Sequence, residues 1–364
     1  MCETQSNKSF WEIYKIFPKL FFKSSSQFLC FGGEVTPFVK RPVSIVGPTA
    51  IGKSELAISL GLALGAQGPC EIVSQDAYQI YRGMDIGTAK PSPFQLSRLP
   101  HHMIDVKDPW EESSAASFQS EVLAVLEECA RRGVRPILVG GSGLYARGAV
   151  DDLSFVPFDP DLRRTIEERL EKEGSLSLWQ DLKRSDPGCA ASLDPKNGRR
   201  VARALEAALG GHPLPSSLPP YRYRFPCLQI GLDLSRGDLD RRIEERVEKM
   251  REEGLEEEVR GLDGKMSRTA AQAIGYAQIL ACLHGDVGRE EAFEQIKVKT
   301  RRLARRQMSW FGRDPRVHWL DASDPDLLQK AEELVRRADA GEFDESDLGP
   351  KGFARRPLGS VKTP

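Results

Sequence analysis

The run Gly47-Pro48-Thr49-Ala50-Ile51-Gly52-Lys53-Ser54 has the composition and spacing of a phosphate cradle. Its glycines let backbone N–H groups wrap around phosphate oxygens. A helix opening at the end of the run would add roughly half a positive charge at the same point. Lys53 contributes a full charge, and Ser54 a hydroxyl suited to ligate Mg²⁺. The plain alternative, a glycine-rich turn that only joins a strand to a helix, would not need all of these positions. The pattern implies a bound phosphate or diphosphate and leaves open the molecule that carries it.

Two further groups could act beside it. Asp76 follows the short apolar run Glu71 to Ser74, where a carboxylate is placed either for acid–base work on the sheet rim or to cap a following helix. The run Val134 to Val139 leads into Gly140-Gly141-Ser142-Gly143-Leu144-Tyr145. Motor and switch NTPases usually have an acid there that helps hold Mg²⁺. No other acid is an evident substitute, so transfer chemistry is favoured over nucleotide hydrolysis. Between Lys297 and Arg313 lie Lys299, Arg301, Arg302, Arg305 and Arg306, with Trp310 and Phe311 among them and no acid before Asp314. Such a stretch suits phosphate tracking and base stacking, or else a solvated helix face.

These groups must be positioned by an alternation of short strands and helices. Val43 to Val46 predicts a strand, and Ser54 to Leu64 a helix with Leu56, Leu60 and Leu64 on one face. Glu71 to Ser74, Val134 to Val139 and Cys227 to Leu232 predict further strands, with a helix over Phe118 to Arg131. The fold class is therefore α/β: a P-loop NTPase-like parallel sheet flanked by helices. Residues 153–224 read as a helical insertion, with helices over Asp161 to Glu173 and Arg199 to Leu209 and a Pro-rich exit from His212 to Pro220. The catalytic core then comprises residues 41–152 and 225–337. Its returning half includes a long helix from Asp238 to Arg251 carrying Leu239, Ile243, Val247 and Met250. Residues 1–40 have three acids and no arginine. They are expected to lie outside the fold as a disordered extension, whether leader or transit peptide. Residues 338–364, rich in Gly, Pro and charge, are expected to be a disordered tail.

Composition sets the outer bounds. A chain of 364 residues, 40% hydrophobic and 29% charged, can bury a sizeable core. No run of about 18 apolar residues offers a membrane span. The 52 basic and 53 acidic residues nearly cancel, so a polyanionic partner has to be sought in local charge. Seven scattered cysteines without a Cys-x-x-Cys pair point to a reducing, cytoplasmic setting and no structural metal.

Taken with Tyr81-Arg82-Gly83-Met84-Asp85-Ile86-Gly87-Thr88-Ala89-Lys90-Pro91, His101-His102-Met103-Ile104-Asp105, Arg203-Ala204-Leu205-Glu206, Arg242-Ile243-Glu244-Glu245-Arg246-Val247, Ala273-Ile274-Gly275-Tyr276 and Arg305-Arg306-Gln307-Met308-Ser309-Trp310, the chain resembles the bacterial tRNA dimethylallyltransferases over residues 41–320. The order and spacing of these segments carry the resemblance. It implies that the P-loop holds dimethylallyl diphosphate with Mg²⁺. The acceptor would be the N6 amine of adenosine 37 in the tRNA anticodon stem-loop, and Asp76 the general base. Ser142 and Arg246 would contact substrate and diphosphate. Asp76, Ala77, Tyr78, Gln79, Ser142, Arg163 and Arg200 would meet tRNA.

The pattern departs from the family at Ile51, where a small residue is usual, and at Asp194-Pro195-Lys196-Asn197-Gly198-Arg199-Arg200, which weakens the carry-over to Asn197. No counterpart of the eukaryotic zinc finger follows, which points to the bacterial type. The expected protein is a monomer. A P-loop small-molecule kinase using ATP and an enzyme prenylating free AMP are the rival readings.

Overall fold

A computed structural model describes residues 30–31, 34–35, 38–153, 155, 159–212, 218–343 and 356–360. Its centre is a sheet of six strands: β1 (Val43–Val46), β2 (Cys70–Ser74), β3 (His101–His102), β4 (Arg135–Gly140), β5 (Leu228–Asp233) and β6 (Val317–Asp321). They run in the order β3-β2-β4-β1-β5-β6, all parallel. Val43, Ile45, Ile137, Leu138, Ile230 and Leu232 are all 0% exposed, as expected of strands covered on both faces by helices. Burying one such side chain stabilises by about 1.5–3 kcal/mol.

Register places the chemistry. Val46 lies opposite Gly140, and Ser74 opposite Val139, so β1, β4 and β2 end level with one another. The turns that follow them, which carry the phosphate cradle, Ser142 and Asp76, therefore share one rim.

The helices that matter to that rim are α1 (Lys53–Leu64), α2 (Ala115–Arg131), α3 (Gly143–Val150), α4 (Pro160–Ser185), α5 (Gly198–Leu209), α6 (Arg236–Glu252), α7 (Leu255–Leu262), α8 (Tyr276–Leu283), α9 (Arg289–Phe311) and α10 (Leu327–Asp339). In α1, Leu56, Leu60 and Leu64 are buried, as their spacing predicts. In α6 the buried stripe is Leu239, Ile243, Val247 and Met250, again the predicted face. Among the described residues, no helix is long and apolar enough to cross a membrane.

The insertion has a core of its own, with Ile166, Leu178, Leu182, Val201 and Leu205 at 2% exposure or less. Its first helix extends beyond the predicted end at Glu173, as far as Ser185, with a break at Gly174, whose φ is 79°. The glycine and neighbouring serines hide the second limb from a periodicity search. The chain enters and leaves side by side: Asp152 N donates to Arg222 O (2.8 Å) and Arg224 N to Val150 O (2.9 Å). Under this hinge Arg147 and Arg316 both pair with the buried Asp151, at 2.6 and 2.8 Å.

The expected disordered tail needs correction in its described parts. Phe343 packs on the main core with its ring 4.3 Å from His318. Arg356 N donates to Gly312 O (2.7 Å), while Gly359 N and Ser360 N donate to the Asp233 carboxylate (2.8 and 2.9 Å). Asp233 is 0% exposed at the end of β5, and a buried carboxylate needs such donors. It is an acid at a strand end that sequence reading did not find, and the chain's own tail occupies it. Of the extension, residues 30–31 and 34–35 form a short antiparallel pair, and Phe38 contacts Phe225. The rest of the expected leader, residues 1–29 with 32–33 and 36–37, and tail residues 344–355 and 361–364 lie outside the described residues.

Candidate active site

The cradle forms where β1 passes into α1. Gly47 and Gly52 have φ of 140° and 103°, a region open chiefly to glycine. A Cβ on Gly47 would also sit 2.8 Å from the Leu232 carbonyl oxygen. Ile51, the departure noted in the sequence, turns into the core and is 1% exposed. Three side chains brace the loop. Gln307 of α9 accepts from Thr49 N (2.8 Å), Arg242 of α6 donates to Ile51 O (3.1 Å), and Lys53 Nζ donates to Pro48 O (2.6 Å).

The loop opens onto a cavity of about 440 Å³. Its polar wall contains Thr49, Lys53, Ser54, Asp76, Ser142 and Arg246. Burial pushes the Lys53 ammonium down to about 7, Arg246 pushes in the same direction, and Asp76 opposes both. Burial likewise holds Arg246 below its ordinary value, again opposed by Asp76. Arg246 makes no hydrogen bond or ion pair among the described residues. Two buried cations beside one carboxylate, the arginine depressing the lysine, form a site for a multiply charged anion.

Asp76 caps no helix. Its Oδ1 accepts from Tyr78 N (2.9 Å), a local turn that fixes the carboxylate and leaves Oδ2 without a partner among the described residues. Ser142 precedes α3, but its hydroxyl makes no cap bond, so it too is available to the cavity. The glycines around it permit close packing: a Cβ on Gly141 would meet Gln307 at 2.4 Å, and one on Gly143 would meet Trp310 at 2.2 Å.

Elsewhere the lining combines an apolar patch, Val247, Met250, Ala273, Ile274, Ile296 and Leu303, with the polar side chains of Gln272, Thr300, Arg306 and Gln307. One further edge, Gly87 to Ala89, belongs to a loop tied down from two sides. Gln79 Nε2 donates to Thr88 O (3.3 Å) and Ala89 O (3.2 Å). Glu258 of α7 accepts from the backbone N–H groups of Asp85 (2.9 Å), Ile86 (2.8 Å) and Gly87 (3.2 Å) and from the Tyr276 hydroxyl.

Of the residues expected at the site, Thr49, Lys53, Ser54, Asp76, Tyr78, Gln79, Ser142 and Arg246 meet around one cavity. Gly47, Pro48, Ala50, Ile51 and Gly52 shape the cradle, and Ala77 sits in the turn between Asp76 and Tyr78. Arg163 and Arg200 lie apart, in the insertion. Arg163 is turned onto Glu206 (3.2 Å), which also takes Arg203 (2.7 Å). The basic stretch divides: Lys297, Arg301 and Arg305 pair with Glu248, Glu244 and Asp240 of α6, whereas Lys299, Arg302, Arg306 and Arg313 have no ion pair among the described residues. Sequence reasoning missed the supporting roles of Gln307, Arg242 and Glu258. Gln307 alone left a signal, an amide on the mostly apolar buried face of α9.

A P-loop cradle that opens onto a partly apolar cavity lined by Lys53, Arg246, Arg306 and Asp76 defines a class, the P-loop α/β enzymes that hold a phosphorylated ligand at the sheet rim. Within it, the IPP transferase family model matches residues 79–314, and the chain belongs to that family. A relative from Bifidobacterium longum bearing the name tRNA dimethylallyltransferase is 49% identical over 88% of this chain and 99% of its own. One of the same name from Thermobifida fusca is 47% identical over 80% of this chain and 93% of its own. Among solved structures, the tRNA isopentenylpyrophosphate transferase of Bacillus halodurans superposes with a TM-score of 0.60 at 36% identity, covering 83% of this chain and 99% of that one. A eukaryotic dimethylallyltransferase described as acting on tRNA gives 0.70 at 26% identity, covering 86% and 82%.

Proposed function

We propose that this chain transfers a dimethylallyl group from dimethylallyl diphosphate to N6 of adenosine 37, beside the tRNA anticodon, releasing diphosphate. The observation that carries this reading is a single cavity in which an unpaired Arg246 and Lys53 face a phosphate cradle while one part of the wall, Val247, Met250, Ala273, Ile274, Ile296 and Leu303, is apolar.

In this mechanism the C–O bond of the donor breaks as the N6–C bond forms, and the amine proton passes to Asp76. An aromatic amine is a weak nucleophile, so a placed base contributes roughly 10²- to 10⁴-fold. Lys53, Arg246 and the loop amides hold the charge that grows on the departing diphosphate. The donor set also fits Mg²⁺: the Ser54 hydroxyl makes no hydrogen bond among the described residues and lines the cavity, a hard oxygen donor beside the diphosphate position. When bound there, Mg²⁺ would supply further charge neutralisation. Holding amine and allylic carbon in line is worth about 7–11 kcal/mol.

The adenine must be turned out of the anticodon loop at a cost of a few kcal/mol. Lys299, Arg302, Arg306 and Arg313 on and after α9, with Arg200 of the insertion, supply the phosphate contacts that offset this. The protein works as a monomer in the cytoplasm. The test is incubation with unmodified tRNA and labelled dimethylallyl diphosphate, followed by nucleoside mass analysis. Label in N6-dimethylallyladenosine is expected. Label arriving only from ATP, or only on free AMP, would replace this reading with one of its rivals.

A further inference from the structure

The two helices that line the cavity are held in register by their ion pairs. Lys297–Glu248, Arg301–Glu244 and Arg305–Asp240 step by four residues on each helix in opposite directions, so α6 and α9 run antiparallel. Continuing that ladder sets Arg246 beside Thr300 and Met250 beside Ile296, to within about one residue; all four line the cavity. The polar end is fixed by Gln307 against Thr49 and by Arg246. One helical turn along α6, Met250 is 6% exposed and Ile296 opposite it 1%. Phe293, Tyr276 and Leu255, all 1% exposed or less, belong to the same apolar cluster.

We infer that Met250 and Ile296 form the floor of the prenyl compartment and set the donor's length at a single five-carbon unit, an assignment that rests on the transfer reaction proposed above. Four residues of helix rise about 6 Å. A five-carbon isoprenoid spans about 5 Å with C–C bonds of about 1.5 Å. A diphosphate held by Arg246 and Lys53 therefore leaves room for one such unit above Met250, whose side chain leans back toward Arg246 as helical side chains do. A ten-carbon chain would have to enter the packed cluster beyond, where extra methylenes are resisted by strain. Thioether flexibility lets Met250 close over the branched end of the chain.

The experiment compares dimethylallyl and geranyl diphosphate as donors to unmodified tRNA. The wild-type protein should prefer dimethylallyl by at least about 100-fold in kcat/KM. Met250→Ala and Ile296→Ala should each narrow that ratio about tenfold, and the double variant should narrow it further. Met250→Phe, which fills the compartment without opening a void, should raise KM for dimethylallyl diphosphate about tenfold while leaving KM for tRNA unchanged. If the alanine variants do not fold, the wild-type preference and the phenylalanine variant still decide. Equal use of both donors by the wild type, or an unaltered ratio in folded alanine variants together with an unaltered donor KM in Met250→Phe, overturns the assignment. A wild-type protein that transfers neither group overturns the proposed reaction instead.

Discussion

The rim of the sheet and the helical insertion treat their charges in opposite ways. In the insertion, several cations are matched with acids nearby: Arg163 and Arg203 share Glu206, and Arg169 is held by Glu173 and Asp181. On the rim, Lys53 and Arg246 crowd one another beside a single Asp76, and burial disfavours the charge on both. A self-paired charge holds a fold together. An unpaired one, kept where its charged form is disfavoured, marks the place where a ligand completes the site. The two faces of α6 repeat the contrast, with a ladder of ion pairs toward α9 and a lone arginine toward the cavity.

The sharpest way to break this comparison is at the carboxylate. Asp76→Asn keeps the turn to Tyr78 N but loses a proton acceptor, so single-turnover transfer should fall by about 10²- to 10⁴-fold with tRNA affinity preserved. A fully active variant would remove Asp76 from the chemistry. Next is the lone arginine: Arg246→Gln should reduce transfer by about 10²- to 10³-fold.

The same variant sharpens the electrostatic side. Because Lys53 is lowered to about 7, it loses its proton as pH rises through 7, and diphosphate binding at pH 8 should draw a proton back onto it. Calorimetry in buffers of different ionisation enthalpy measures that uptake. Removing Arg246 removes one of the influences that depress Lys53, so the uptake should shrink in Arg246→Gln; an unchanged uptake would mean the two cations do not communicate.

Smaller effects are expected where side chains only brace. Gln307→Ala deletes the acceptor for Thr49 N and should weaken donor binding by about 1 kcal/mol, near fivefold, with little change in melting temperature. In the insertion, Arg163→Ala should lower unfolding stability in urea by about 1–2 kcal/mol, since Glu206 is 4% exposed and loses a charged partner. It should change tRNA affinity less than Arg200→Ala does. Arg200→Ala should reduce the salt dependence of tRNA binding by close to one counterion, measured as the slope of log K against log salt. The opposite ranking would show that Arg163 leaves Glu206 to meet the nucleic acid.

Much of the rim was legible in the chain because it is built from contiguous runs. The cradle from Gly47 to Ser54 needs only local φ angles and a helix start, and the apolar stripe of α6 needs only its period. What stayed hidden was assembled across long separations. Gln307 reaches Thr49, Glu258 holds the loop from Asp85 to Gly87, and Asp233 is satisfied by Gly359 and Ser360, all pairings with no periodic trace. Arg163 and the basic stretch from Lys297 to Arg313 illustrate the reverse. Sequence counts charge, but only packing reveals which arginines already have partners.

The amino-acid order by itself determined the four inner strands of the parallel sheet, the phosphate cradle and the carboxylate after β2, because backbone conformation and hydrophobic period are local properties; the edge strands β3 and β6 were not legible. Only the tertiary structure decided that α6 and α9 close over that cradle, leaving Arg246 unpaired at one end of the cavity and Met250 with Ile296 at the other. Those positions depend on the register of two helices whose ion-paired residues lie 49 to 65 positions apart in the chain, and that register is set by packing and ion pairing that no single segment encodes.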